Sequence, residues 1–183
     1  MTPVWDPAHT KRMRKVLAAL SVLTATLVVA PAPTAASAGS DGAERVTRQA
    51  DRLGSLDALR QRVVTLTNNR RRNHGCNNLS QNDALNRAAQ THTRKMANRN
   101  TLSHQLPGEP SLGTRVRRAG YNWTMVAENV AAGYTTPEAV VRAWMNSSGH
   151  RRNILNCRYR HIGVGYAVSD GGTPYWTQVF GRR

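Results

Sequence analysis

Two short segments carry the side chains best suited to chemistry. Thr101-Leu102-Ser103-His104 supplies an imidazole, and Ala127-Glu128-Asn129-Val130-Ala131 supplies a carboxylate. Glu128 sits among apolar neighbours from Met125 to Ala132, where a carboxylate is costly to bury unless it meets a cation, a protonated His or several donors. Glu128 is therefore expected to have a partner. His150, in Trp144-Met145-Asn146-Ser147-Ser148-Gly149-His150-Arg151, is a third polar candidate. It reads as standing at the end of a helix, where the dipole favours positive charge. Arg151 and Arg152 read as solvated. Two imidazoles and a carboxylate would suit a divalent cation such as zinc, with His104 and His150 as metal ligands, although no HExxH pattern is present. Nucleophilic catalysis has less support: there is no GxSxG elbow, and only Ser103 adjoins His104.

The remaining composition narrows the setting. Basic residues Lys11, Arg12, Arg14 and Lys15 precede an apolar run from Val16 to Ala30, too short for the ~20 residues that span a bilayer. Ala36-Ser37-Ala38 then has the small-x-small form of a cleavage site, so residues 1–38 read as a secretory signal, with Met13 as an alternative start. Residues 39–183 hold 22 Lys and Arg against 9 Asp and Glu, a net charge of +13. So basic a chain is drawn to anionic polymers or lipid headgroups, and export argues against nucleic acid. Cys76 and Cys157 are the two cysteines; an even pair in an oxidising compartment suggests one disulfide, and no CxxC spacing favours a metal or redox pair instead.

The elements that must position these groups follow from periodicity and caps. Residues 39–54 are polar and lack aromatic residues, so a poorly ordered leader is expected there, with the domain occupying 55–183. Leu56, Leu59, Val63 and Leu66 recur at helical spacing. A second helix between Leu79 and Asn100, capped by Ser80 or Asn82, points His92 toward the core as a structural histidine. Ser111–Ala119 reads as a short basic helix closed by Gly120, and Thr136-Pro137-Glu138 is a strong helix start. Val126–Ala132 is strand-like, and two further β-rich runs, His161–Ser169 and Pro174–Gly181, flank the turn Asp170-Gly171-Gly172. The class is α+β, with helices around a small, mainly antiparallel sheet.

The Leu-Ser-His and Glu-Asn-Val-Ala segments occur in order with the Trp144–Leu155 segment, Ile162-Gly163-Val164-Gly165 and Tyr175-Trp176-Thr177-Gln178-Val179-Phe180. This series resembles the CAP superfamily (cysteine-rich secretory, antigen 5 and pathogenesis-related 1 proteins; SCP domain) in its bacterial form, from Leu59 to Gly181. The resemblance implies an α-β-α sandwich with a wide cleft in which His104 and Glu128 face each other. Eukaryotic members add a second Glu after the helix Trp and a second His opening the last strand, a tetrad able to hold a divalent cation. Here those positions fall near Ser147 and at Tyr175, so the ligand cleft is assigned His104, Glu128, His150 and Tyr175. The reading favoured is a secreted, monomeric, non-enzymatic binding domain for lipid or cell-envelope material. The alternatives are a metal-assisted hydrolase, with His104 and His150 holding an ion and Glu128 as base, and a structural protein without a working cleft.

Overall fold

The computed structural model describes residues 38–183, so the signal assigned to residues 1–38 lies outside the described residues apart from its last position. Helix α1 runs from Ala38 to Arg72. The expected leader at 39–54 is thus helical, which corrects the sequence reading of an unstructured segment. Ala43, Glu44, Arg45, Arg48, Gln49 and Ala50 are strong helix formers, Glu44 and Arg48 pair at 2.7 Å one turn apart, and extending a nucleated helix costs far less than starting one. Every side chain described between 42 and 55 is exposed.

Strand β1 (Ser80–Gln81), helix α2 (Asp83–Asn98), helix α3 (Leu112–Arg118), strand β2 (Met125–Ala132), helix α4 (Pro137–Asn146), helix α5 (Ser148–Ile154), strand β3 (His161–Val168) and strand β4 (Pro174–Arg182) follow. Local signals set their ends. Asn82 Oδ1 accepts from Ala84 N and Leu85 N, Ser111 caps α3 and Thr136 caps α4 ahead of Pro137. Gly172, at φ +81°, closes the turn between β3 and β4. Among the described residues no helix is long and apolar enough to cross a membrane.

The sheet order is β1-β3-β4-β2, parallel between β1 and β3 and antiparallel elsewhere. Alternation along β4 sends Trp176 and Phe180 into a core with Val63, Val140 and Trp144 under α1 and α4, while Val179 faces Leu85, Ala89 and Val116 under α2 and α3. Helices thus cover both faces, the sandwich the resemblance implies. Strand β3 lies unusually close to α2: a Cβ at Gly163 would come within 2.1 Å of the Leu85 carbonyl carbon, and one at Gly165 within 2.6 Å of that of Ala89. Beyond the two residues of β1, the outer edge of β3 is met by side-chain amides of α2. Asn86 Oδ1 accepts from Val164 N, and the Gln90 amide both accepts from Tyr166 N and donates to Tyr166 O. The disulfide joins Cys76, just past α1, to Cys157, just before β3.

Candidate functional site

His104 stands on the loop between α2 and α3, and its backbone is clamped from both sides. His92 Nε2 donates to Ser103 O at 2.8 Å, and Arg115 Nη2 donates to His104 O at 2.8 Å. The imidazole itself is 62% exposed while the Glu128 side chain is 2% exposed, and the two meet at 3.0 Å between Nδ1 and Oε1. Glu128 also accepts from Arg115 Nη2, at 3.3 Å on Oε1 and 3.1 Å on Oε2. Its burial is therefore compensated by an imidazole and a guanidinium, as the apolar surroundings require. The hydrogen bond to Glu128 raises the His104 pKa, against burial and the nearby Arg115.

A second buried carboxylate, Glu109, completes the cluster. Its Oε2 lies 2.8 Å from His92 Nδ1, and Lys95 Nζ is 3.4 Å from its Oε1. With Nε2 donating to Ser103 O, His92 turns Nδ1 to the Glu109 carboxyl group. Burial would raise the Glu109 pKa, yet His92, Arg115, the Leu106 N–H and Lys95 together hold it below the usual carboxylate range. Helix α3 aims Arg115 at this cluster because Arg117 stacks on Trp123 at 4.5 Å and Arg118 is exposed, leaving Arg115 and Val116 on the buried side.

His150 comes from the other side of edge strand β2. Asn129 Nδ2 donates to His150 O at 3.2 Å, and Asn153 Nδ2 bonds Asn129 Oδ1 at 2.9 Å and Glu128 O at 3.2 Å, fixing α5 to the strand. The chain breaks at Ser147, so His150 occupies the first turn of α5 rather than the end of a helix. That corrects the expected dipole support: burial and then the charge of His104 lower its pKa. Tyr175 is 4% exposed, packs with Met96, Ala97, Leu106 and Val130, and makes no hydrogen bond to His104, Glu128 or His150. Its alternation on β4 turns it into the core under α2, so it joins the packing and not the polar cluster. Ser103 Oγ donates to Gln105 O and accepts from Gln105 N, which leaves His104 without a paired hydroxyl.

The profile of the cysteine-rich secretory protein family, CAP, matches residues 64–180. The chain belongs to the CAP family. The chain is 38% identical over 138 residues to YkwD of Bacillus subtilis, an uncharacterised protein, covering 75% of this chain and 52% of YkwD. YlbC, an uncharacterised membrane protein of the same organism, is 32% identical over 123 residues, covering 67% of this chain and 34% of YlbC. The chain thus spans about half or less of these relatives. An extracellular protein containing a SCP domain from Bacillus anthracis superposes with a TM-score of 0.64 at 32% identity, over 69% of this chain and 41% of that one. An outer surface protein of Borrelia burgdorferi, at 22% identity and TM-score 0.61 over 66% of this chain and 89% of that one, shares the fold.

Within this CAP domain, the donors present do not fit a divalent cation as arranged. No group of three His, Cys, Asp or Glu side chains among the described residues is placed to hold a metal, and Arg115 puts a positive charge against the one shared carboxylate. Sequence reasoning missed Glu109 and Arg115 as partners of the site. The signal that could have exposed Glu109 is scarcity: an acid in so basic a chain, beside Gly108 and Pro110 and downstream of His92, draws cations to it.

Proposed function

We propose that this CAP protein is exported and works as an extracellular binding domain, not as an enzyme, presenting His104 and His150 to lipid or anionic cell-envelope material. The observation that carries this reading is the state of Glu128. Both its oxygens are engaged by Arg115, and Oε1 also by His104, so three of the carboxylate's four acceptor positions are spent on holding two cationic side chains in place. The exposed imidazole above it is instead a pre-oriented, positively biased contact point, and preorganised polar groups of this kind favour recognition. The extracellular and surface nature of the solved relatives supports export. The test is binding of the protein to phosphatidylglycerol vesicles and to purified peptidoglycan across a salt series. A salt-resistant component that falls at least fivefold in His104→Ala and Glu128→Gln is expected. Binding that vanishes with salt and ignores both substitutions would place the activity on the +13 surface, and Glu128-dependent release of soluble product would make the protein a hydrolase.

A further inference from the structure

A cavity of about 350 Å³ opens between α2 and α3, and His104 is not among its lining residues. Arg87 and Lys95, two turns apart on α2, and Arg118 on α3 stand around it, with Arg115 and Glu109 in its wall. The apolar part of the lining is Ala88, Pro110 and Ala119. Its charges are unbalanced. Lys95 and His92 answer Glu109, and Glu128 and, at 4.0 Å, Glu109 answer Arg115, whereas Arg87 bonds only the Ala119 carbonyl and Arg118 has no ion-pair partner among the described residues.

Its buried polar groups are incomplete as well. Arg115 is 8% exposed, and its Nε and Nη1 have no hydrogen-bond partner, nor has Glu109 Oε1. Unpaired buried donors and acceptors cost free energy, and native proteins retain few of them without a use. Two unspent guanidinium donors under a rim of Arg and Lys call for an anion, and a guanidinium fork matches phosphate oxygens. Glu109 Oε1 beside them, ion-paired with Lys95 at 3.4 Å but accepting no hydrogen bond, calls for a hydroxyl donor. We infer that this cavity is a second binding site, distinct from the His104 cleft, that takes a polyol phosphate: the phosphate on Arg87, Arg118 and the free Arg115 donors, a neighbouring hydroxyl on Glu109.

The experiment is calorimetric titration of the full chain at low salt with glycerol 1-phosphate, with inorganic phosphate, and with phosphatidylglycerol vesicles. Glycerol 1-phosphate binds saturably at one site, and more tightly than inorganic phosphate. The exposed pair Arg87→Ala/Arg118→Ala weakens it at least tenfold. Arg151→Ala/Arg152→Ala, which removes the same charge from another exposed pair, weakens it less than threefold. Vesicle capture lost in the first double variant identifies the ester as a lipid headgroup; soluble binding without vesicle capture identifies a free ester. Equal losses in the two double variants, or no saturation up to about 50 mM, would overturn the site. Inorganic phosphate binding as tightly as the ester would overturn the polyol assignment.

Discussion

Arg71 and Arg115 are both shut away from solvent, at 0% and 8% exposure, and they are held in opposite ways. Arg71 sits in a cage of neutral carbonyls: Nε on Asn77 O, Nη1 on Ile154 O and Asn156 O, Nη2 on Tyr159 O. Those carbonyls belong to the two segments that the Cys76–Cys157 disulfide ties together, so guanidinium and bridge fasten the same seam. Arg115 faces two carboxylates and a titratable imidazole, and leaves two donors unused. The first arrangement gives each guanidinium nitrogen a neutral carbonyl partner. The second is ionic, unsaturated and adjoins a cavity, and that incompleteness is what the proposed second site rests on.

The sharpest way to test the contrast is stability. Arg71→Met strands four carbonyls, and a loss of about 4 kcal/mol, near 10 °C in Tm, is expected with little dependence on pH. Thermal melts at several pH values would check it, and a loss under about 1 kcal/mol would break the seam argument. Arg115→Met leaves Glu109 and Glu128 without their shared cation. The expected loss is about 3 kcal/mol near pH 8, shrinking toward about pH 5 as a carboxyl takes up a proton. Identical pH profiles for the two variants would erase the distinction. The smallest effect lies in the histidines. His104, with its pKa raised, lends stability that is complete below the ordinary histidine value and lost as pH rises through the folded one. His150, with its pKa lowered, prefers to stay neutral when folded and costs stability as pH falls through the ordinary value. Imidazole C2–H shifts followed by NMR should show His104 titrating above His150, and Glu128→Gln should bring His104 down toward it. The reverse order would sink the electrostatic picture of the cleft.

How much of this was legible beforehand depended on range. Asn82, Ser111 and Thr136 cap helices through contacts within three residues, so their roles are written locally, as is the turn at Asp170-Gly171-Gly172. His104 and Glu128 were reached by family resemblance and by the cost of burying an acid. Arg115 was hidden because Arg115, Arg117 and Arg118 look alike in sequence, and only tertiary packing selects which one turns inward. The break at Ser147 that moves His150 to a helix start has no side-chain cap to announce it. The helix over 39–54 was misjudged because polar composition forbids a core but does not forbid helix propagation.

Side chains meet part of the sheet's backbone on β3, beyond β1, and on the edge strand β2. Asn86 and Gln90 occupy the backbone of β3 at Val164 and Tyr166, while Asn153 and Trp144 donate to the carbonyls of Glu128 and Val130 on β2. A stray extended chain therefore finds no vacant ladder at these four positions, and recruitment of the protein into strand-by-strand aggregates is blocked there without spending a single charge or proline on the task.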